Sequence, residues 1–401
     1  MIAQQIIRRS SVICPLLRHN LLSMAFTARR RGVLVLVILW LTVLGCADKL
    51  SVEEDKLTVP TEGPPPVTSE SLEPTQVGTM RRLRVEVLGV PGSYSDAITH
   101  RIIKDLESWH GRIYIGHGDW GANTGPVRAM YFDVGLGELV HDEAFLFDDE
   151  SIDDFRSFGE VLIAPGTDAR EGWEFGNLYL KQWGESWHKL RTVPGGLHVF
   201  DAALTPDKLV VSSSDETAQG HIWTSQDQGR TWTHSREIPG EGKSDFRQSL
   251  TSFFILSGGT YAITPHQGCF RLDGVEWLEL KCLPNGISDV VIEPEVFSGV
   301  AVFRPYYGGR SLYLFDGSKA FQVKFEGYVK DIAVTSSEIW ILVGNEIYGS
   351  SAWTCFCAAD FSLEASLELE RGIAAGTLAN VDGTFYFGLS SGELARGLIE
   401  P

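Results

Sequence analysis

The chain has 401 residues, with 34 basic and 52 acidic side chains and a formal net charge of −18. Residues 1–45 hold six arginines and no acid, so the chain without them carries −24. That balance excludes nucleic acid and anionic lipid faces as partners of the body of the protein, and it favours solubility.

In chain order, Arg29-Arg30-Arg31 lead into the apolar run Gly32 to Leu41, a basic region followed by a hydrophobic one. The run is shorter than the roughly 20 apolar residues of a membrane span. It ends at Val43-Leu44-Gly45-Cys46, which resembles a bacterial lipobox. The resemblance implies that Cys46 becomes the lipidated first residue of a protein of the bacterial cell envelope. An uncleaved membrane anchor is the alternative and gives the same location. Ala47, not aspartate, follows the cysteine, which points to the outer membrane. Met24 is followed by a complete signal of its own, so translation is expected to start there.

The expected organisation is therefore a signal segment at 1–45, a lipidated disordered tether at 46–79 and a globular domain at 80–401. The tether is rich in Pro, Glu, Ser and Thr, with Pro64-Pro65-Pro66 at its centre, and has too few apolar residues to form a core. Cys269 and Cys282 flank one expected hairpin, and export permits a bond between them. Cys355 and Cys357 read as small buried side chains, because no second pair or histidine cluster suggests zinc.

Trp187, Trp232 and Trp277 stand 45 residues apart. A period of that size marks a repeat architecture. The repeats read as short alternating or apolar strands separated by turn residues. The third repeat is clearest, with strands beginning at Gly195, Lys208, His221 and Thr231. Flanking repeats fit the same register, and Asp154-Phe155-Arg156 returns as Asp245-Phe246-Arg247. Arg82 to Leu88 alternates and most simply completes the last repeat, closing a ring with both chain ends. The expected fold is all-β, a β-propeller of seven blades, with six or eight as alternatives if faded repeats split or merge.

The phrase Ser225-Gln226-Asp227-Gln228-Gly229-Arg230-Thr231-Trp232 resembles the Asp-box, or BNR repeat, of sialidase-like propellers. The resemblance implies a turn between the third and fourth strands of a blade, with Asp227 and Trp232 serving the scaffold. Sialidases are enzymes of this type, and Arg156, Arg247, Arg310, Tyr306 and Asp119 are partial counterparts of their site. The first-blade Phe-Arg-Ile-Pro phrase of that family is absent, and no Tyr/Glu pair can be assigned.

Loops after the second strand of each blade share one face. The long ones are His117–Gly125, Gly166–Phe175, Ser213–Gln219 and Pro305–Arg310. Long polar loops on a rigid ring are where binding sites usually lie. Trp120 and Trp173 are candidate stacking platforms; Asp119, Asn123, Asp168, Arg170, Tyr306 and Arg310 are candidate polar contacts. His117 reads as a satisfied loop histidine. The acidic run Asp148-Asp149-Glu150 with Asp153-Asp154 lacks calcium-loop spacing and reads as a solvated connection. No cofactor and no metal is expected.

The function expected from these features is a lipid-anchored propeller that binds a glycan or a protein ligand. A sialidase-like hydrolase and an assembly factor for a membrane complex are the alternatives. Cys46→Ala should accumulate a precursor that begins at Met24 and takes up no lipid label. Metabolic lipid labelling and mass spectrometry of the precursor check this; a peptide crossing Met24 from upstream contradicts the start site.

Overall fold

The computed structural model describes residues 71–72, 75–76, 80–239, 249–264, 268–283, 291–305, 309–350, 362–363 and 365–400. All belong to the compact unit Pro66–Pro401. Cys46, Arg247, Tyr306, Cys355 and Cys357 lie outside the described residues.

The described residues form β-strands, most of them paired antiparallel, and two single-turn 3-10 helices, with no α-helix among them. No helix among them is long and apolar enough to cross a membrane. Five blades follow in chain order, each a four-stranded meander. The first holds Ile103–Trp109, Arg112–His117, Val127–Asp133 and Glu138–Phe147. The second holds Arg156–Phe158, Val161–Pro165, Phe175–Gln182 and His188–Pro194. The third holds His198–Leu204, Leu209–Ser214, Gly220–Ser225 and Thr233–Ile238. The fourth spans Ser252–Leu256 to Glu276–Leu280, and the fifth Val291–Phe297 to Ala320–Lys324. An eight-stranded sheet completes the β-propeller; within it Arg81–Gly89 pairs antiparallel with Leu394–Ile399 and parallel with Ala365–Leu369. Strand pairing reaches back to Ser71–Leu72, which runs parallel to the outer strand of the fifth blade.

The burial pattern explains why strict alternation is weak in this sequence. Middle strands such as Leu209–Ser214, Val300–Pro305 and Ser311–Phe315 are buried at every position. Each is covered on both faces by neighbouring blades, so it reads as a continuous run. Outer strands such as Thr233–Ile238 are mostly exposed and polar. Apolar clusters fill the gaps between successive sheets. One joins Ile163 and Leu178 of the second blade to Val199 and Val211 of the third. Another joins Ile113 and Phe132 of the first blade to Ala379 and Tyr386 near the C-terminus, which closes the ring.

At the axis, an aspartate repeats. Asp105, Asp201 and Asp331 each accept a backbone N–H from the next repeat: Phe155, just before its inner strand, at 2.9 Å, and Phe253 and Leu378, within theirs, at 2.6 Å each. Each follows a register shift in its own inner strand, and a bulge re-aims a side chain in this way. Asp105, Glu107, Asp154, Glu295 and Asp331 line a cavity of about 60 Å³ together with Arg304 and Asn380. That is room for a few waters and too little for a sugar. Arg156 donates to the Phe253 carbonyl at 3.0 Å and lies 3.6 Å from Asp201, so it serves the axis. Removal from water pushes Glu295 up to about 8; Glu107, Asp331 and Asp201 add repulsion, and Arg156 only partly offsets it.

At the rim, Trp187 and Trp232 each tie their blade to the one before. Trp187 Nε1 donates to Asp142 at 2.8 Å and Trp232 Nε1 to Thr192 at 3.0 Å. The turn before Trp232 is held internally. Ser225 Oγ accepts the Gly229 N–H at 2.7 Å, and Asp227 accepts the Thr231 N–H at 2.9 Å and its hydroxyl at 2.6 Å. Gly229 has φ of 83°, which favours glycine. These bonds hold the Asp227 carboxyl down at about 2. The structure joins Cys269 to Cys282 in a disulfide, with the Cα atoms 5.6 Å apart.

The acidic run at 148–154 departs from the solvated connection expected for it. Asp149 is fully buried, accepting from Asn177 Nδ2 at 3.0 Å and from the Tyr179 hydroxyl. Asp149–Ser151 forms a short strand, and Asp154 faces the axis. The reason is tertiary: Asn177 and Tyr179, some 30 residues on, both donate to Asp149 Oδ2 inside the fold.

Two outcomes follow. Trp187 is 6% exposed, whereas Trp232 is only half-buried. Trp187→Ala should cost about 3–5 kcal/mol, as for large core truncations, and Trp232→Ala less, in chemical denaturation. The Glu295 carboxyl is raised in the folded state, so the folded chain holds a proton that the unfolded chain releases. This contribution to stability should therefore be fully present below about pH 4.5, be lost as pH rises from about 4.5 to about 8, and level off above that. Glu295→Gln, which mimics the protonated form, should flatten that fall in calorimetric melts; an unchanged slope contradicts the assignment.

Candidate ligand-binding site

The loop after the second strand of the first blade is built around Asp119. Its Oδ1 accepts the N–H groups of Gly121 at 3.0 Å and Ala122 at 3.2 Å, capping the single turn Trp120–Ala122. This is N-cap chemistry on a short helix. Asn123 ends the turn in the left-handed region, with φ of 52°. Asp119 and Asn123 thus shape the loop, and the residue they present is Trp120, which is 49% exposed. Its ring centroid is 6.4 Å from that of His198 of the third blade.

The loop is fastened from below. His100 and His117 are both fully buried. The Tyr94 hydroxyl lies 2.9 Å from His100 Nε2 and accepts the Arg128 N–H at 3.0 Å. His100 Nδ1 meets Thr124 Oγ1, which donates to the Asp119 carbonyl at 3.2 Å. Burial lowers His117 to about 4, with His100 contributing, so it is neutral at pH 7.

Two short strands bring the second and third blades to the same place. Asp149–Ser151 pairs with Thr167–Ala169, and Thr167 pairs with His198. Thr167 faces Ser151 and Ala169 faces Asp149, so Asp168 sits opposite Glu150. Like charges directly opposed on neighbouring strands repel. Asp168 takes φ of 59° and lies 3.3 Å from His198 Nδ1. Enclosure raises Asp168 to about 7, with repulsion from Glu150 and Asp153 adding to it. Burial lowers His198 to about 4. The nearby Lys104 is occupied: its Nζ donates to Ser151 Oγ at 2.9 Å and Asp153 Oδ1 at 2.6 Å.

Arg170 follows directly. Its backbone N–H bonds Asp148 O at 3.1 Å, and its Cδ lies 2.8 Å from where a Cβ on Gly125 would stand. The first two loops therefore touch. Trp173 is 54% exposed further along the second loop, whose backbone is held by Arg191 through the carbonyls of Gly172 and Phe175. Arg310 is placed elsewhere, its guanidinium carbon 5.1 Å from the Tyr328 ring centroid. The structure thus gathers Trp120, Asp119, Asn123, Asp168 and Arg170. It adds Glu150, His198 and Lys104, for which only the acidic run was a sequence signal. No three His, Cys, Asp or Glu residues among those described are arranged to hold a metal.

No family model matches the chain, and no curated protein matches it in sequence. Similar solved structures include the computationally designed Ika8 protein, at 10% identity and TM-score 0.48, covering 80% of this chain and 100% of that one. Sqt1 of Saccharomyces cerevisiae is similar at 9% identity and TM-score 0.49, covering 81% and 88%. The WD40 β-propeller domain of Doa1 is similar at 12% identity and TM-score 0.49, covering 75% and 93%.

Proposed function

We propose that this chain is a lipid-anchored, extracytoplasmic Asp-box propeller that binds a glycan or protein ligand at its long-loop end, with Cys46 as the lipid site and the outer membrane as its location. One observation carries the binding role: Trp120 stands half-exposed on a capped turn where loops of three blades converge. Large aromatics held rigidly at such a place are typical binding anchors. The Cys269–Cys282 disulfide is consistent with export to an oxidising compartment. Trp120, Asp168, Arg170 and Trp173 are the contact residues of this reading; Tyr306 and Arg310 would extend it along the ring.

The blade count in this reading is seven. The two halves of the eight-stranded sheet pack face to face, with Leu342 and Ile347 against Phe385 and Phe387, as neighbouring blades do. The N-terminal strand Arg81–Gly89 then supplies the outer strand of the last blade. The hydrolase alternative gains nothing from Arg156, which is engaged at the axis with Asp201 and the Phe253 carbonyl.

A glycan and peptide array probed with the full chain in detergent tests the reading. Trp120→Ala should weaken the ligand found at least tenfold, about 1.4 kcal/mol, and leave the melting temperature nearly unchanged. Retained affinity in the folded variant contradicts the site.

A further inference from the structure

We propose that His221 and His234 of the third blade form a two-histidine site for a divalent transition metal of the zinc type. The site shares no residue with the Trp120 end. It draws on Ser213–Gln219, a long loop with no part in that end.

The two histidines come from paired strands, His221 from Gly220–Ser225 and His234 from the outer strand Thr233–Ile238. His221 stands opposite Glu237 and Trp223 opposite His234, with a register shift between the two pairs. Directly opposed residues share a face, so the shift sets His221, Trp223 and His234 on one face of the hairpin. His221 Nδ1 and His234 Nε2 are 3.4 Å apart. Two imidazole nitrogens on one tetrahedral ion, each at about 2.05 Å, are about 3.3–3.4 Å apart. The pair already has the spacing that a shared ion requires. Trp223 packs against both rings, its centroid 4.9 Å from that of His234 and 5.7 Å from that of His221. Its own Nε1 donates to Ser213 Oγ at 3.2 Å. His234 is exposed, so solvent ions reach the pair.

The carboxylate behind His221 is an independent observation. Asp215 Oδ1 accepts the N–H groups of Thr217 at 2.9 Å and Gln219 at 3.1 Å, and the Thr217 hydroxyl at 2.7 Å, which holds the loop. Its Oδ2 faces His221 Nε2 at 3.4 Å. Nε2 donates to the carboxylate, so Nδ1 keeps its lone pair on the side of His234. A carboxylate behind a ligating imidazole is the usual outer partner in metal sites, and it selects the tautomer that binds. In the metal-free pair, His234 Nε2–H donates to His221 Nδ1. With an ion between them, that proton sits on His234 Nδ1 and both facing nitrogens ligate. Imidazole suits zinc, copper and nickel, whereas calcium and magnesium take oxygen donors. No three His, Cys, Asp or Glu residues among those described form a closed cage. Water therefore takes the remaining positions, and the ion is exchangeable rather than a structural staple.

Isothermal titration of zinc chloride into the full chain in detergent tests the site. One equivalent of zinc should bind that is lost in His221→Gln and in His234→Gln. Asp215→Asn keeps the Oδ1 that holds the loop and turns an amide N–H toward His221 Nε2. That imposes the wrong tautomer and should weaken zinc at least tenfold, the usual size of an outer-partner loss. His188→Gln, which removes an exposed histidine from the outer strand of the second blade, should leave the equivalent intact. Calcium chloride should show no binding that depends on either histidine. Thermal melts verify that each variant is folded, and the rise in melting temperature that zinc gives the wild type should shrink in His234→Gln. Absent zinc binding, or an equivalent that survives the combined change of His221→Gln and His234→Gln, overturns the proposal. Affinity unchanged by Asp215→Asn in the folded protein overturns the role given to that carboxylate.

Discussion

The ring depends on one recurring bond at its axis, an inner-strand carboxylate accepting a backbone N–H from the next repeat. The inner strand of a blade has a free edge, and its amide groups need partners once neighbouring blades crowd out water. Asp105, Asp201 and Asp331 supply them, each aimed by a bulge in its own strand. Repetition concentrates acid in a narrow space. Arg156 and Arg304, the latter 3.5 Å from Asp331, offset part of it, and raised carboxyls such as Glu295 take up the rest.

A second set of ties acts at the rim. Trp187 and Trp232 pack the hairpin turns of their own blades and donate to a residue on the preceding blade. Between axis and rim, apolar clusters join sheet to sheet around the circle. The scaffold is thereby complete without the loops at the ends. Those loops are released from structural duty to the extent that their own short-range bonds hold them. Asp119 shows the division: its carboxylate shapes the turn, and the exposed surface belongs to Trp120.

The candidate site also carries a cost. Opposed Glu150 and Asp168 repel each other, and Asp168 is held in a backbone conformation uncommon for an aspartate. Enclosure and this repulsion raise Asp168 to about 7, while Lys104 offsets part of its charge environment and Arg170 part of that of Glu150.

How far the sequence reaches differs between scaffold and site. The 45-residue spacing of Trp187, Trp232 and Trp277 and the runs of buried strand residues were sufficient to read a propeller. A blade is a local unit whose turn chemistry and strand pattern lie within a few tens of residues. The exposure of Trp120 was legible for the same reason, since the cap that presents it is three residues long. The fate of the acidic run was not. Asp149 is buried because Asn177 and Tyr179 reach it, Asp154 faces the axis because the ring closes there, and Glu150 meets Asp168 only through a pairing between loops of different blades. The sequence by itself determined the repeat, its turns and its signal-like beginning, all consequences of neighbouring residues. Only the tertiary structure decided which carboxylates hold the axis, which are buried and which oppose each other at the surface, because those partners come from blades that sequence spacing does not relate.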